Sequence, residues 1–245
     1  MAEALNGNFP ATRHSVIAAV QSDDHDARSR GLDAITAVYW KPVYKYLRLR
    51  WNLNSADAQD LTQEFFARLI EKDFLRGYDA SKGRLRTYLR TCADRLFLKL
   101  SRDAHRAKRG GENPNLHLDF DEAERELARA AYSGSEAIED QFEREWIRSL
   151  FALAVERFRG KCACSGKMIY FQLFEAYDLM EEGGARPSYA QLVTEFDLSL
   201  TDVTNYLAWA RRQFRVCVLE QLRQMTASEE EFQSEARTLL GAKSQ

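Results

Sequence analysis

Three carboxylates, Asp57, Asp60 and Glu64, recur at three- and four-residue spacing in the stretch DAQDLTQEFFARLIE. On a helix that spacing places them on one face. Carboxylates beside a basic segment can hold the paired cations of a phosphodiester-cleaving site. Such ions need oxygen ligands converging from several directions, and no second acidic element stands opposite these three, so a nuclease is not the expected chemistry. Cys162 and Cys164 are the other candidate ligands. A structural zinc takes four, whereas Lys161 to Lys167 supplies two and His117 lies far off in sequence. No metal, cofactor, small-molecule substrate or catalytic residue is expected.

The elements that position the carboxylates carry more information. Ala58, Phe65, Phe66 and Leu69 fall on one helical face, and Asp57, Asp60, Glu64 and Glu71 on roughly the opposite one. Asn54 or Ser55 is the expected N-cap. A loop over Arg76–Gly83 follows, marked by Gly77, Asp79, Ser81 and Gly83. Beyond it, Leu85, Leu89, Cys92, Leu96 and Leu100 form the apolar stripe of a long helix. Between Lys82 and Arg109 ten basic residues stand against two acidic ones, so a polyanion is the natural partner. The acidic face also has the composition of an ordinary solvated helix side.

The whole chain hides this segregation. Its 245 residues are 45% apolar with a formal net charge of -2, enough for a buried core in one or two domains. No apolar run approaches the roughly 20 residues that span a bilayer. Four cysteines without a signal-peptide pattern at Met1–Pro10 predict a reducing, cytoplasmic setting.

Apolar residues three and four apart, four prolines and no alternating β-branched runs predict an all-α fold. A short helix starts near Thr12, and a longer one spans about Arg28 to Arg50 with a possible bend at Pro42. From Glu112 to Glu145 eleven acidic residues face three basic ones, and the first half of that segment reads as a partly disordered linker. A second helical region begins near Phe142. Pro187 opens PSYAQLVTEFDLSLTDVTNYLAWARRQFRVCVLEQL, with helix-turn-helix spacing: a helix over Ser188–Phe196, then a long one capped by Ser199 or Thr201. Ser228-x-x-Glu231 is a capping box before a tail helix carrying Phe232, Ala236, Leu239 and Leu240.

With these motifs in place, the chain resembles bacterial RNA polymerase sigma factors of the extracytoplasmic-function type. DAQDLTQEFFARLI and KGRLRTYLRTCADRLFLKLSRD resemble the family's first-domain motif, and PSYAQLVTEFDLSLTDVTNYLAWARRQFR its second. FPATR, the KRGG at Lys108–Gly111 and EREWIRSLFALA resemble a branch with long, divergent members. The implied organisation is two helical domains joined by an acidic linker: an N-terminal arm (1–27), a region-two domain (28–111), the linker (112–140), a region-four helix-turn-helix domain (141–225) and a tail helix (226–245).

The resemblance implies core RNA polymerase as partner, through its β′ clamp and β flap, together with promoter DNA and an anti-sigma factor as a further candidate. Asp57, Asp60, Gln63 and Glu64 occupy the clamp-docking positions, where carboxylates suit an Arg-rich partner. For the minus-ten element, Tyr78, Leu85 and Tyr88 are candidates for unstacked bases, with Lys82, Arg84, Arg86, Arg90, Arg95, Arg102 and Arg106 on phosphates. Core packing is the competing role of Leu85 and Tyr88. Tyr88, Arg95 and Lys99 stand where the family often has Trp, Asn and Asp. For the minus-thirty-five element, Thr201, Thr204, Asn205 and Ala208 project early from the recognition helix, with Arg211, Arg212 and Arg215 nearer the backbone. Thr204 and Trp209 stand where basic residues are common, and Trp209 reads as core. The linker's acids either line the polymerase's basic channels or form a solubilising tether. A helix-turn-helix regulator or polymerase-binding adaptor without initiation activity is the alternative function.

Overall fold

A computed structural model describes residues 16–71, 74–104, 118–129, 137–179 and 186–241. Among them are ten α-helices and no strand, the all-α class expected from the spacing. The axis of the first half is α2 (His25–Arg50), which continues through Pro42. Asp24 caps it by accepting the N–H groups of Asp26 and Ala27. The short α1 (Val16–Gln21) crosses α2 at Gly31, where an added Cβ would stand 2.7 Å from Val20 Cγ2. Only glycine allows that approach.

Helix α3 (Ser55–Glu71) starts behind Asn54, whose Oδ1 accepts the Asp57 N–H at 2.8 Å. The expected loop contains two short 3-10 turns, Phe74–Gly77 and Ala80–Lys82. Gly83, at φ 148°, redirects the backbone into α4 (Leu85–Ala104). Leu85, Leu89 and Leu96 bury the predicted stripe, joined by Ala93, while Cys92 and Leu100 are half-buried at its edge.

The first half of the acidic segment, expected to be a partly disordered linker, contains a helix among its described residues 118–129. Phe120–Arg129 forms α5, and Phe120, Ala123 and Leu127 pack on Tyr44 and Ala58. Its carboxylates meet the cations of α2: Lys41 donates to Glu122 at 2.8 Å and to Glu126 at 2.9 Å, and Lys45 donates to Glu126 at 2.6 Å. Tyr44 donates to Glu124 at 2.5 Å, and Arg48 reaches the same carboxylate at 3.2 Å. Three apolar residues at helical spacing, together with the cations of α2, hold this helix in place.

The second half contains α6 (Ile138–Cys164), α7 (Met168–Asp178), α8 (Tyr189–Phe196), α9 (Leu200–Gln224) and α10 (Glu229–Leu240). Among the described residues no helix pair packs as extensively as α2 with α6. One core therefore runs through both halves, from Ile35, Tyr39 and Tyr46 through Leu89 to Phe142, Trp146, Cys217, Leu222 and Phe232. The helix-turn-helix keeps a cluster of its own, Leu173, Leu192, Val203 and Leu207. No described helix is long and apolar enough to cross a membrane.

Candidate functional site

The acidic face of α3 is ordered from its cap outward. Asn54 holds Asp57 from both ends, because its Nδ2 also donates to Asp57 Oδ2 at 2.8 Å. Asp57 and Asp60 are exposed, whereas Gln63 and Glu64 are half-buried. Glu64 accepts from Arg68 one turn on. The opposite face, Ala58, Leu61, Phe65, Phe66 and Leu69, is buried, so the carboxylates sit on a rigid backing. Among the described residues no three His, Cys, Asp or Glu side chains converge as a metal site. Cys162 is buried, and that burial raises its thiol pKa, while Cys164 is exposed.

The loop and the start of α4 are far less open than their composition suggests. Tyr78 is 6% exposed, its hydroxyl donates to Gly83 O at 3.0 Å, and its ring lies 5.4 Å from that of Tyr88. Tyr88 is half-buried and donates to Phe74 O at 2.6 Å. Burial pushes both phenols up to about 12. Leu85 is 1% exposed, so in this arrangement it is a core residue. Lys82, Arg84, Arg95 and Arg102 are exposed, Arg90 is half-buried and Arg86 is buried. Arg106 lies outside the described residues.

Arg86 sits at the centre of a charged knot. Its Nε donates to Glu143 of α6 at 2.7 Å, and its Nη1 donates to Glu235 of α10 at 2.8 Å. The same Glu235 oxygen lies 2.9 Å from Arg84 Nε. The Arg86 guanidinium stacks over Trp146, 4.5 Å from the ring centroid. Burial pulls the Arg86 pKa down, but Glu235 and Glu143 outweigh it and hold it above the ordinary arginine value. Glu143, Glu235 and Trp146 were not among the expected site residues. One signal was present: Glu235 interrupts the apolar stripe of α10 between Phe232 and Leu239.

Asp94 is a second polar centre missed in sequence. It accepts from Tyr46 at 2.9 Å and from Trp51 Nε1 at 3.1 Å, and Trp51 stacks on Phe97 at 4.2 Å. These contacts fasten the middle of α4 to the end of α2.

The α8–α9 unit is set by its caps. Ser188 and Gln191 form a capping box, Asp197 turns the chain at φ 52°, and Ser199 caps α9 by accepting the Asp202 N–H. Thr201, Thr204, Asn205, Arg212 and Arg215 are exposed along α9, and Ala208 is half-buried among them. Arg211 is exposed but paired, donating to Asp178 at 2.8 and 3.1 Å, which raises its pKa. Trp209 lies half-buried with its ring 4.9 Å from Tyr170 and 6.2 Å from Phe158.

Residues 39–107, from the second half of α2 through α4, match the family model described as Sigma-70 region 2. That match supports a sigma-70 family factor. No curated protein and no solved structure matches the chain.

Proposed function

We propose that this chain is a dissociable sigma factor of the extracytoplasmic-function type, which binds core RNA polymerase, recognises promoters and opens them for initiation, with no chemistry of its own. The observation that carries the reading is the Sigma-70 region 2 match over residues 39–107. It falls on a bundle with an exposed acidic face on α3 and a basic helix α4 beside it.

In this reading Asp57, Asp60, Gln63 and Glu64 meet the β′ clamp, where carboxylate–guanidinium pairs set register and on-rate. Tyr78 and Tyr88, backed by Leu85 in the core beneath them, serve the minus-ten element with the cations of the loop and α4, from Lys82 to Arg106. Strand opening needs a base pocket beside a cationic track. Residues 28–111 are the region-two domain, 112–140 the linker and 141–225 the region-four domain, which also meets the β flap. Thr201, Thr204, Asn205 and Ala208 reach base edges of the minus-thirty-five element, with Arg211, Arg212 and Arg215 on phosphates. The protein acts in the cytoplasm, and an anti-sigma factor is a fitting further partner.

The test is reconstitution with bacterial core polymerase on a supercoiled promoter library. Specific initiation is expected. The absence of both initiation and a stable complex with the clamp would sink the reading.

A further inference from the structure

We infer that α10 is an intramolecular cap on the DNA-facing start of α4, so that the free chain is held closed by carboxylates standing where DNA phosphates would bind. The inference rests on the reading of α4 as a DNA-facing helix and adds how that surface is regulated.

The geometry is a substitution of one anion for another. A guanidinium binds carboxylate and phosphate oxygens through the same N–H donors. Glu235 is 1% exposed and engages both Arg84 and Arg86, while Glu143 takes the remaining edge of Arg86. The Arg86 side chain is 6% exposed, so no phosphate reaches it until Glu235 leaves.

The composition of α10 fits the same role. Glu229, Glu230, Glu231 and Glu235 stand against Arg237 alone. A buried ion pair stabilises a fold no better than apolar side chains of similar volume. The carboxylate on the apolar stripe between Phe232 and Leu239 is matched instead to the two guanidiniums it meets.

The helix is held by Phe232, Ala236, Leu239 and Leu240 on the core and by its ion pairs. Phe232 enters the core at 7% exposure beneath the Arg223 guanidinium, which lies 4.0 Å from its ring centroid. Arg223 also donates to Glu229 at 2.6 Å. Residues 225–228 join α10 to α9 with Met225 and Thr226 buried, and the 12-residue helix beyond them, once off the core, is marginal in water, so release of the cap unravels it. If the closed form holds about nine-tenths of the free chain, the apparent affinity for DNA is lowered about tenfold.

The experiment compares three full-length proteins without polymerase: wild type, Glu235→Gln, which keeps the shape and drops the charge, and Glu230→Gln on the exposed side of α10. Binding of a short, mixed-sequence, fluorescein-labelled single-stranded DNA is read by anisotropy. Glu235→Gln should bind about tenfold more tightly and Glu230→Gln should match wild type. Equal affinities for Glu235→Gln and wild type, including no measurable binding by either, overturn the cap. So does an equal gain in Glu230→Gln, which would reflect net charge alone. Should Glu235→Gln fail to fold, hydrogen exchange on the wild type decides: amides of 229–240 should lose protection when the DNA is added, and unchanged protection overturns the proposal. Initiation by the reconstituted polymerase is scored separately. Initiation with equal DNA affinities removes the cap and leaves the sigma reading standing, whereas tighter binding by Glu235→Gln without initiation does the reverse.

Discussion

The outward faces of α3 and α9 and the first turn of α4 carry similar charged side chains in opposite circumstances. Asp57 and Asp60 on α3, and Arg212 and Arg215 on α9, are exposed on helices whose other faces are buried. Arg84, just ahead of α4, and Arg86 in its first turn are paired with carboxylates from α6 and α10. The difference shows that a count of basic residues measures potential contacts, and that tertiary pairing decides which of them are available. Substitutions can separate the two circumstances, because loss of a buried pair acts on the fold and loss of an exposed charge acts on a partner.

The largest effect is expected at Arg86. Arg86→Ala leaves Glu235 and Glu143 without their shared cation, and breaking a buried pair costs about 3 to 5 kcal/mol. Urea unfolding measures it, and a loss below about 1 kcal/mol would mean that the knot is as loose as a surface pair. On α3, Asp60→Arg sets like charges against an Arg-rich clamp and should weaken core-polymerase binding by several kcal/mol. Its unfolding free energy should stay within about 0.5 kcal/mol of wild type. A large loss of stability instead would assign that face a structural role.

On α9, Arg212→Ala should weaken DNA binding uniformly across sequences. It should also reduce the slope of log affinity against log salt by about 1, with no change in the urea midpoint. The smallest effect concerns α5. Burial raises the Glu126 pKa, but hydrogen bonds from Lys45 and Lys41 outweigh it, so its carboxyl titrates below the ordinary glutamate value. Its contribution is complete above the unfolded value, near about 4.3, and is lost as pH falls through the depressed folded value. Glu126→Gln should therefore cost about 1 kcal/mol near neutrality. That difference should hold from about pH 6 to pH 9 and disappear in acid once the pH lies below the depressed folded value; urea midpoints across pH give the comparison, and a difference that persists there would remove the ion pair as its cause.

The helical class, the paired faces of α3, the stripe of α4 and the α8–α9 turn were legible because each rests on local spacing and caps. Ser188, Ser199 and Ser228 announce the helices that follow them within a few residues. The knot was not legible, because Arg86 and Glu235 lie 149 residues apart in sequence, and nothing local distinguishes Arg86 from Arg90. Helix α5 was hidden for another reason. The acidic count over Glu112–Glu145 swamped Phe120, Ala123 and Leu127, and the cations that neutralise those acids belong to α2. Leu85 and Tyr88 had the right types for either a core or a base pocket, and only the packing of Leu85 at 1% exposure distinguishes its role in this arrangement.

Trp146 gives the knot an optical signature. Its indole is 2% exposed with a guanidinium 4.5 Å from the ring centroid, so its emission reports the local field and the absence of water. Any event that draws Arg86 away hydrates that ring and shifts its fluorescence to longer wavelength. With Trp40, Trp51 and Trp209 set against other rings, a chain retaining Trp146 alone would show the two halves parting in real time, without a label.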